Sequence, residues 1–468
     1  MANNLDELIT YLQRLLGPEY EVFARAPLEP PSIRLNPLKG ARREGLLQRF
    51  KAWGVAHQPH PVNPDGMMLE EDRLPLSHTL AYFAGDFVYQ GLSSQLPVLA
   101  LDPRPGESVL DLCAAPGSKS TQIAALMQNR GRLLLTDSST RRLQPLMANL
   151  FSAGVMNAVL LNLPGQLIGR HFPEQFDRVL VDAPCSALAN LPVRAFQSYW
   201  SEAFLRKIST IQEQLLISGI KAARVGGVIV YSTCSICPEE NEMVLERILR
   251  RYPVELEPVA FAGAPCCRPP LESYLGRRFD PAIRQAVRIH PWPLPFEGFF
   301  VARLRKTGPL PIRPVTEAMP WLQSRRGDDP EIALLLDHLE QLWGIPAGPL
   351  RDSRYLRSLH RLWMIAPEWE RLPQRAFMMA GLPLADEKTT FWRPTTPAVQ
   401  WLGERIGKER ISFTDAELAA FFHDGRLPAP AGPLRYHVLH ADGRNLAIVA
   451  QSEGFYRIHL PHRFDLVL

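Results

Sequence analysis

The sequence has no uninterrupted apolar stretch near the ~20 residues that a membrane-spanning helix needs, which excludes a helical membrane protein. The opening residues Met1-Ala2-Asn3-Asn4-Leu5-Asp6-Glu7 lack a basic flank followed by an apolar core, so no secretory signal is expected and the predicted location is cytoplasmic. Cysteine is scarce. Six in 468 residues make no disulfide framework, and a reducing compartment leaves them as thiols. Net charge is only +4, a weak overall pull on a polyanion. No internal repeat is visible.

The sequence is rich in proline: 44 residues, about twice the usual ~5% share. They gather in joints such as Pro291-Trp292-Pro293-Leu294-Pro295 and Pro428-Ala429-Pro430-Ala431-Gly432-Pro433. A content of 46% hydrophobic and 21% charged residues fits a globular protein, and at ~100–200 residues per domain this length predicts three or four units. Positive charge is concentrated at 268–313, with nine Lys/Arg against three Asp/Glu, and at 351–375, with six Arg against three acids. A nucleic-acid contact and a solvated basic face are equally good readings of charge alone.

Periodicity suggests four segments. Residues 1–80 open with an amphipathic helix carrying Leu5, Leu8, Ile9, Leu12, Leu15 and Leu16, and read as a small leading domain of the RNA-binding type. From 81 to 306 apolar strands alternate with helices, the pattern of an α/β domain with a parallel sheet. Helices are predicted from Ser118 to Gln128, from Ser139 (kinked or shifted by Pro145), from Ser201 to Ala223 with a stop at Gly226-Gly227, and from Pro238 to Arg251. Gly298 to Leu304 reads as a last, antiparallel strand. Residues 307–385 link to a β-rich segment, 386–468, with turns at Asp442-Gly443 and Glu453-Gly454.

The run Val109-Leu110-Asp111-Leu112 enters a loop of small residues, Cys113-Ala114-Ala115-Pro116-Gly117, followed by Ser118-Lys119-Ser120. Such a strand–loop–helix turn lets a ligand approach the backbone closely. It is not a phosphate-binding loop, because Cys113 stands where the first glycine of that motif belongs. Asp137, 26 residues after Asp111, can accept from two ribose hydroxyls or cap the following helix. A compact adenosine ligand without phosphates suggests S-adenosylmethionine.

Two cysteines stand at strand ends. Asp182-Ala183-Pro184-Cys185-Ser186 closes the run Arg178 to Val181, and Ser232-Thr233-Cys234-Ser235 closes Val228 to Tyr231, 49 residues later. A lone cysteine is more often a buried structural thiol, but two at the edge where parallel sheets bind ligands suggest nucleophilic chemistry over a cofactor. Carbon 5 of cytosine is a poor nucleophile. Its methylation needs a thiolate at carbon 6, an acid at the ring nitrogen and a base for the carbon 5 proton. Cys234, Cys185, Asp182 and Lys119 supply these parts. A zinc site from Cys234, Cys237, Cys266 and Cys267 lacks the usual paired spacing, and no metal is expected. Thioredoxin-like chemistry fits less well still.

These blocks resemble the NOL/NOP/Sun family of RNA 5-methylcytosine methyltransferases, most closely its RsmF branch, which modifies small-subunit ribosomal RNA. Arg34-Leu35-Asn36 with Leu38-Lys39 is similar to the family's leading-domain signature, and Tyr89-Gln90 with Ser93-Ser94 to its entry into the catalytic domain. Cys113 to Lys119 resembles its cofactor loop, Asp137 with Arg142 its ribose block, and Glu297 to Leu304 its closing strand. The resemblance implies a Rossmann-like class I methyltransferase domain, a PUA-like RNA-binding tail, S-adenosylmethionine as cofactor and RNA as partner. It also implies Cys234 as nucleophile, Cys185 in product release and Asp182 on the cytosine ring. Three positions depart from the family pattern: Ser118 replaces a glycine, Ala187-Leu188-Ala189-Asn190 replaces a glycine-bearing stretch, and Pro164 replaces an acid for which Asn162 is the candidate substitute. The alternatives are a transfer-RNA methyltransferase of the same chemistry, a ribosome assembly factor that keeps the pocket without turnover, and a small-molecule methyltransferase.

Overall fold

The computed structural model describes residues 4–26, 29–40, 43–70, 75–188, 195, 200–292, 294–311, 319–358, 360–389, 391–458 and 465–466. Its centre is a sheet built from Ser108–Asp111 (β1), Arg132–Thr136 (β2), Ala158–Leu161 (β3), Phe176–Asp182 (β4), Ala223–Thr233 (β5), Val287–Ile289 (β6) and Phe299–Lys306 (β7). The spatial order is β6-β7-β5-β4-β1-β2-β3. Strands β1 to β5 pair parallel, and β7 runs antiparallel between β5 and β6. Beyond β3 the sheet is extended by Phe377–Ala380 (β8), antiparallel. Every residue of β1 and β3 is buried, as expected of strands covered by helices on both faces.

The chain steps outward from β1 to β3, then returns to the other side for β4 and β5. This reversal puts the topological switch point between β1 and β4, where open α/β sheets bind ligands. Asp111 ends β1 and Asp182 ends β4. The architecture is therefore the Rossmann-like class I methyltransferase sheet.

The covering helices include Ser118–Leu126 (α1), Thr140–Ala153 (α2), Gly165–His171 (α3), Glu202–Ala222 (α4) and Glu242–Leu249 (α5). Helix α2 starts one residue after Ser139 and continues past Pro145, so its start is not displaced. Two boundaries differ from the sequence reading. Helix α4 ends at Ala222 and β5 begins at once, because Ala223 is already extended and Gly226, at φ 81°, bends the new strand instead of stopping the helix. Helix α5 starts at Glu242, a turn later than Pro238, because Glu239, Glu240 and Asn241 direct their side chains into tertiary contacts.

A four-stranded antiparallel sheet, His57–Pro59, Gly66–Leu69, Ser32–Leu35 and Phe87–Tyr89, precedes the central one. Its core gathers Ile33, Leu35, Phe50, Met67 and Phe87. Asn36 fastens it to the end of α2, donating from Nδ2 to the carbonyls of Gly85 (2.8 Å) and Ala153 (2.9 Å). Gly85 has φ +81°, and a Cβ there would lie 2.1 Å from the Ser152 carbonyl oxygen, so the contact requires glycine. The first helix, Asn4–Leu16, packs elsewhere: Leu8, Tyr11 and Leu12 meet Trp200, Ile236 and Cys237 beside the central sheet.

In the C-terminal region, a five-stranded sheet from Arg325 to Pro394 packs on the helix Pro330–Trp343. A second five-stranded sheet includes Arg435–Ala441, Arg444–Ser452 and Phe455–Arg457. Its turns are Asp442-Gly443 (φ 53°, 71°) and Glu453-Gly454 (φ 54°, 78°), which is the two-residue hairpin geometry predicted for those pairs. No helix of the described residues is long and apolar enough to cross a membrane.

Candidate active site

Strands β4 and β5 pair in parallel with Asp182 opposite Ser232, so the loops leaving them run side by side. Cys185 and Cys234 therefore converge. Their Sγ atoms are 2.8 Å apart, and the Cys234 N–H donates to the Cys185 sulfur at 3.3 Å. Both are free and half-buried. Contact with the Cys234 sulfur, together with burial, raises the Cys185 pKa well above the ordinary thiol range.

Across from them, Lys119 Nζ lies 2.8 Å from Asp182 Oδ2 and donates to Ser94 Oγ at 2.8 Å. Asp182 Oδ1 accepts from Ser232 Oγ at 2.7 Å. Burial disfavours the Lys119 charge, but Asp182 outweighs it and the amine pKa is raised. Lys119 also sits 5.3 Å from the centre of the Phe299 ring, a cation–π contact that further fixes the ammonium.

The loop after β1 is folded on Asp111, whose Oδ2 accepts from Ser120 Oγ at 2.7 Å and whose Oδ1 accepts from the Cys113 N–H at 3.4 Å. Burial pushes the Asp111 pKa up to about 7. Burial and the neighbouring acids raise that of Cys113, so this thiol stays protonated. Gly117 caps α1 at φ +110°, with Leu146 Cδ1 only 2.7 Å from where a Cβ would stand. At the end of β2, Asp137 accepts from the N–H groups of Ser139 (2.8 Å) and Ala115 (3.3 Å) and pairs with Arg142 at 3.0 Å. It is thus both a helix-end acceptor and a wall of the cleft.

That cleft, ≈ 560 Å³, joins the two halves of the site. Of the residues singled out from sequence, Cys113, Ala115, Asp137, Arg142, Asp182, Cys185 and Cys234 line it. The others stand behind the wall. Ala114 is buried, with its carbonyl facing Ser120 Oγ, and the Pro116 carbonyl accepts from Asn149. Gly117 packs on Leu146, the Ser118 carbonyl accepts from Thr121, and Lys119 pairs with Asp182. Asn162 donates to the Asp137 carbonyl at 2.9 Å, which buttresses the acid from behind.

Several wall residues were not read from sequence. Ile208, Ile211 and Leu215 present one face of α4 to the cleft, and Gln166 lines it where Pro164 had drawn attention. Spacing of i, i+3, i+7 is also the signature of ordinary core, so nothing distinguished that stripe beforehand. At the altered loop, Ala187 takes φ +57°, a conformation suited to the glycine it replaces, and Leu188 is fully buried. Ala189 and Asn190 lie outside the described residues. Among the described residues, no group of three or more His, Cys, Asp or Glu could hold a metal ion.

Residues 98–305 match the profile of the family described as 16S rRNA methyltransferase RsmB/F. Ribosomal RNA small subunit methyltransferase F of Escherichia fergusonii is 38% identical over 426 residues, 87% of this chain and 84% of the relative. The chain belongs to this family. Two further relatives are matched over less of this chain. The alignment with ribosomal RNA small subunit methyltransferase F of Cronobacter sakazakii is also 38% identical but covers 60% of this chain and 58% of that protein. A tRNA (cytosine(49)-C(5))-methyltransferase of Pyrococcus abyssi is 35% identical over 62% of this chain and 91% of its own. Among solved structures, a methyltransferase homolog from Pyrococcus horikoshii superposes with a TM-score of 0.58 at 31% identity, over 65% of this chain and 99% of that one.

Proposed function

We propose that the protein transfers a methyl group from S-adenosylmethionine to carbon 5 of a cytidine in 16S ribosomal RNA, through a covalent bond between Cys234 and carbon 6. The observation that carries this reading is the contact of two strand-end sulfurs on a cleft whose wall also holds Asp182 and Asp137. The cleft suits that cofactor. Apolar side chains of Leu112, Ile211 and Leu215 offer a surface for a flat base, Asp137 an acceptor for ribose, and the surrounding carboxylates a favourable field for a positive sulfonium. When bound, the cofactor supplies an electrophilic methyl group.

The chain's own residues do the rest. Cys234 adds as thiolate to carbon 6, which makes carbon 5 nucleophilic. Asp182 and Lys119, held as a pair, are assigned to stabilise the charge that builds on the ring nitrogen and carbonyl. Release follows when the carbon 5 proton passes to a base and on to water, its electron pair re-forms the ring double bond and Cys234 leaves as thiolate; Cys185, in contact with Cys234, is assigned to this step. The target base reaches the sulfurs only when flipped out of its stack. The β-rich tail, 386–468, is assigned as a PUA-like module that holds the RNA around it.

Methyl incorporation from labelled cofactor tests the proposal. 5-Methylcytidine should appear in 16S RNA or the small subunit and vanish with Cys234→Ala; retained turnover in that variant would remove Cys234 as nucleophile. A second reading, transfer RNA as substrate, is favoured by the near-complete coverage of the Pyrococcus abyssi enzyme. Label in transfer RNA alone would establish it. Cofactor binding without label in any RNA would instead favour an assembly factor.

A further inference from the structure

The residues that follow the two cysteines, Ser186 and Ser235, converge on one carboxylate. Glu240 Oε2 accepts from the Ser186 N–H at 2.9 Å and from Gln212 Nε2 at 2.8 Å. Its Oε1 accepts from Ser186 Oγ at 2.5 Å and Ser235 Oγ at 2.6 Å. Four donors thus fill the two oxygens of a side chain with no exposed surface, and among the described residues no cation pairs with it. The hydroxyls are committed as well. Each donates its single proton to Glu240 while its oxygen accepts a backbone N–H, that of Leu188 at 3.3 Å for Ser186 and that of Cys237 at 3.1 Å for Ser235. The Glu240 carbonyl accepts from Tyr231 Oη on β5, which closes the network against the sheet.

We propose that Glu240 is the positioning residue that couples the two cysteine loops, holding both sulfurs in contact so that they act as one unit. The loops also touch directly, Ser186 Oγ lying 3.1 Å from Ser235 Oγ and the Cys234 N–H donating to the Cys185 sulfur, but among the described residues outside the two loops Glu240 is the side chain that bonds to both serines. Gln212 reaches the Pro184 carbonyl and Glu240 itself. Asn241 bonds to Thr233 and Ser235, on the Cys234 side alone. Glu240 touches neither the cleft nor the sulfurs directly, so its action is geometric. Its negative charge also stands near Cys185 and favours the protonated form of that thiol.

The idea rests on the proposed function for its purpose, but its test does not. In the intact protein, the azo oxidant diamide takes two electrons and two protons from neighbouring thiols, forming one disulfide and a hydrazine. Peptide mapping then reads the rate of Cys185–Cys234 bond formation. Glu240→Gln keeps the shape but turns an NH₂ group toward two hydroxyl donors. We expect the cross-linking rate and kcat each to fall on the order of tenfold or more, with cofactor Kd and RNA KM unchanged. Should Glu240→Gln fail to fold, the Ser186→Ala/Ser235→Ala pair carries the same expectation. Cross-linking at the wild-type rate in a folded variant would overturn the proposal, whereas slowed cross-linking in a protein that methylates no RNA would uphold it and remove the assigned activity instead.

Discussion

Replacing Arg288 with Met tests how the Cys234 loop is held. Arg288 and Glu242 form a bidentate pair, Nε to Oε1 at 2.7 Å and Nη2 to Oε2 at 2.6 Å, and Arg288 Nη1 donates to the Ile236 carbonyl at 2.8 Å. Both side chains are almost wholly buried, at 5% and 0% exposure. The pair ties β6 to the start of α5 and to the segment two residues after Cys234. Removing the cation leaves a buried carboxylate with, among the described residues, only the Leu271 N–H as partner, and breaking a buried pair in this way costs about 3–5 kcal/mol. For a domain of this size, at ~2–4 °C per kcal/mol, thermal unfolding of the catalytic domain should fall by roughly 6–20 °C. The double variant Arg288→Met/Glu242→Met removes the stranded charge and should recover about 2 kcal/mol or more of that loss. Urea and thermal unfolding of wild type, Arg288→Met, Glu242→Met and the double variant complete the cycle. A loss below about 1 kcal/mol in Arg288→Met, or a double variant as unstable as the single, would refute the reasoning.

Gly117→Ala combines a left-handed backbone with an overlap on Leu146, so stability should fall by about 2–4 kcal/mol in denaturant titrations; an unchanged midpoint would mean that the loop relaxes freely. Asp137→Ala removes the acceptor for Ser139, Ala115 and Arg142 at the cleft wall, and calorimetry should show cofactor affinity reduced on the order of 10- to 100-fold; equal affinity would take Asp137 out of the binding site. For Asp111 the folded pKa of about 7 lies above the ordinary carboxylate value. Its native state therefore holds a proton that the unfolded chain releases, and this contribution to stability is lost as pH rises from about 4 to 7. Asp111→Asn should gain stability relative to wild type across that window, and parallel pH profiles would contradict the assignment.

The proposed chemistry was legible in the sequence because the residues assigned to it sit at strand ends. Asp182, Cys185 and Cys234 could be ordered by their apolar runs alone, and the parallel register of β4 and β5 brings them together as that order requires. What escaped is side-chain direction around helix starts. Glu240 and Glu242 look like first-turn acids favoured by the helix dipole, yet one receives both cysteine loops and the other neutralises Arg288. The same blindness affects charge. In the basic stretch 268–313, Arg277, Arg284, Arg288, Arg303, Arg305 and Lys306 pair with Glu246, Glu272, Glu242, Glu257 and Glu174, residues mostly distant in sequence. Only Arg268 and Arg278 carry no ion pair among the described residues of that stretch. A count along the chain sees the excess but not its neutralisation.

The central claim is a covalent bond from Cys234 to carbon 6 of cytosine, resolved with the help of Cys185. Incubating Cys185→Ala with S-adenosylmethionine and 16S RNA, then mapping any protein–RNA species that survives denaturing electrophoresis, tests it most directly. The account predicts an adduct attached at Cys234 that is absent from Cys185→Ala/Cys234→Ala. Turnover by Cys185→Ala with no trapped species, or an adduct attached elsewhere, would contradict it.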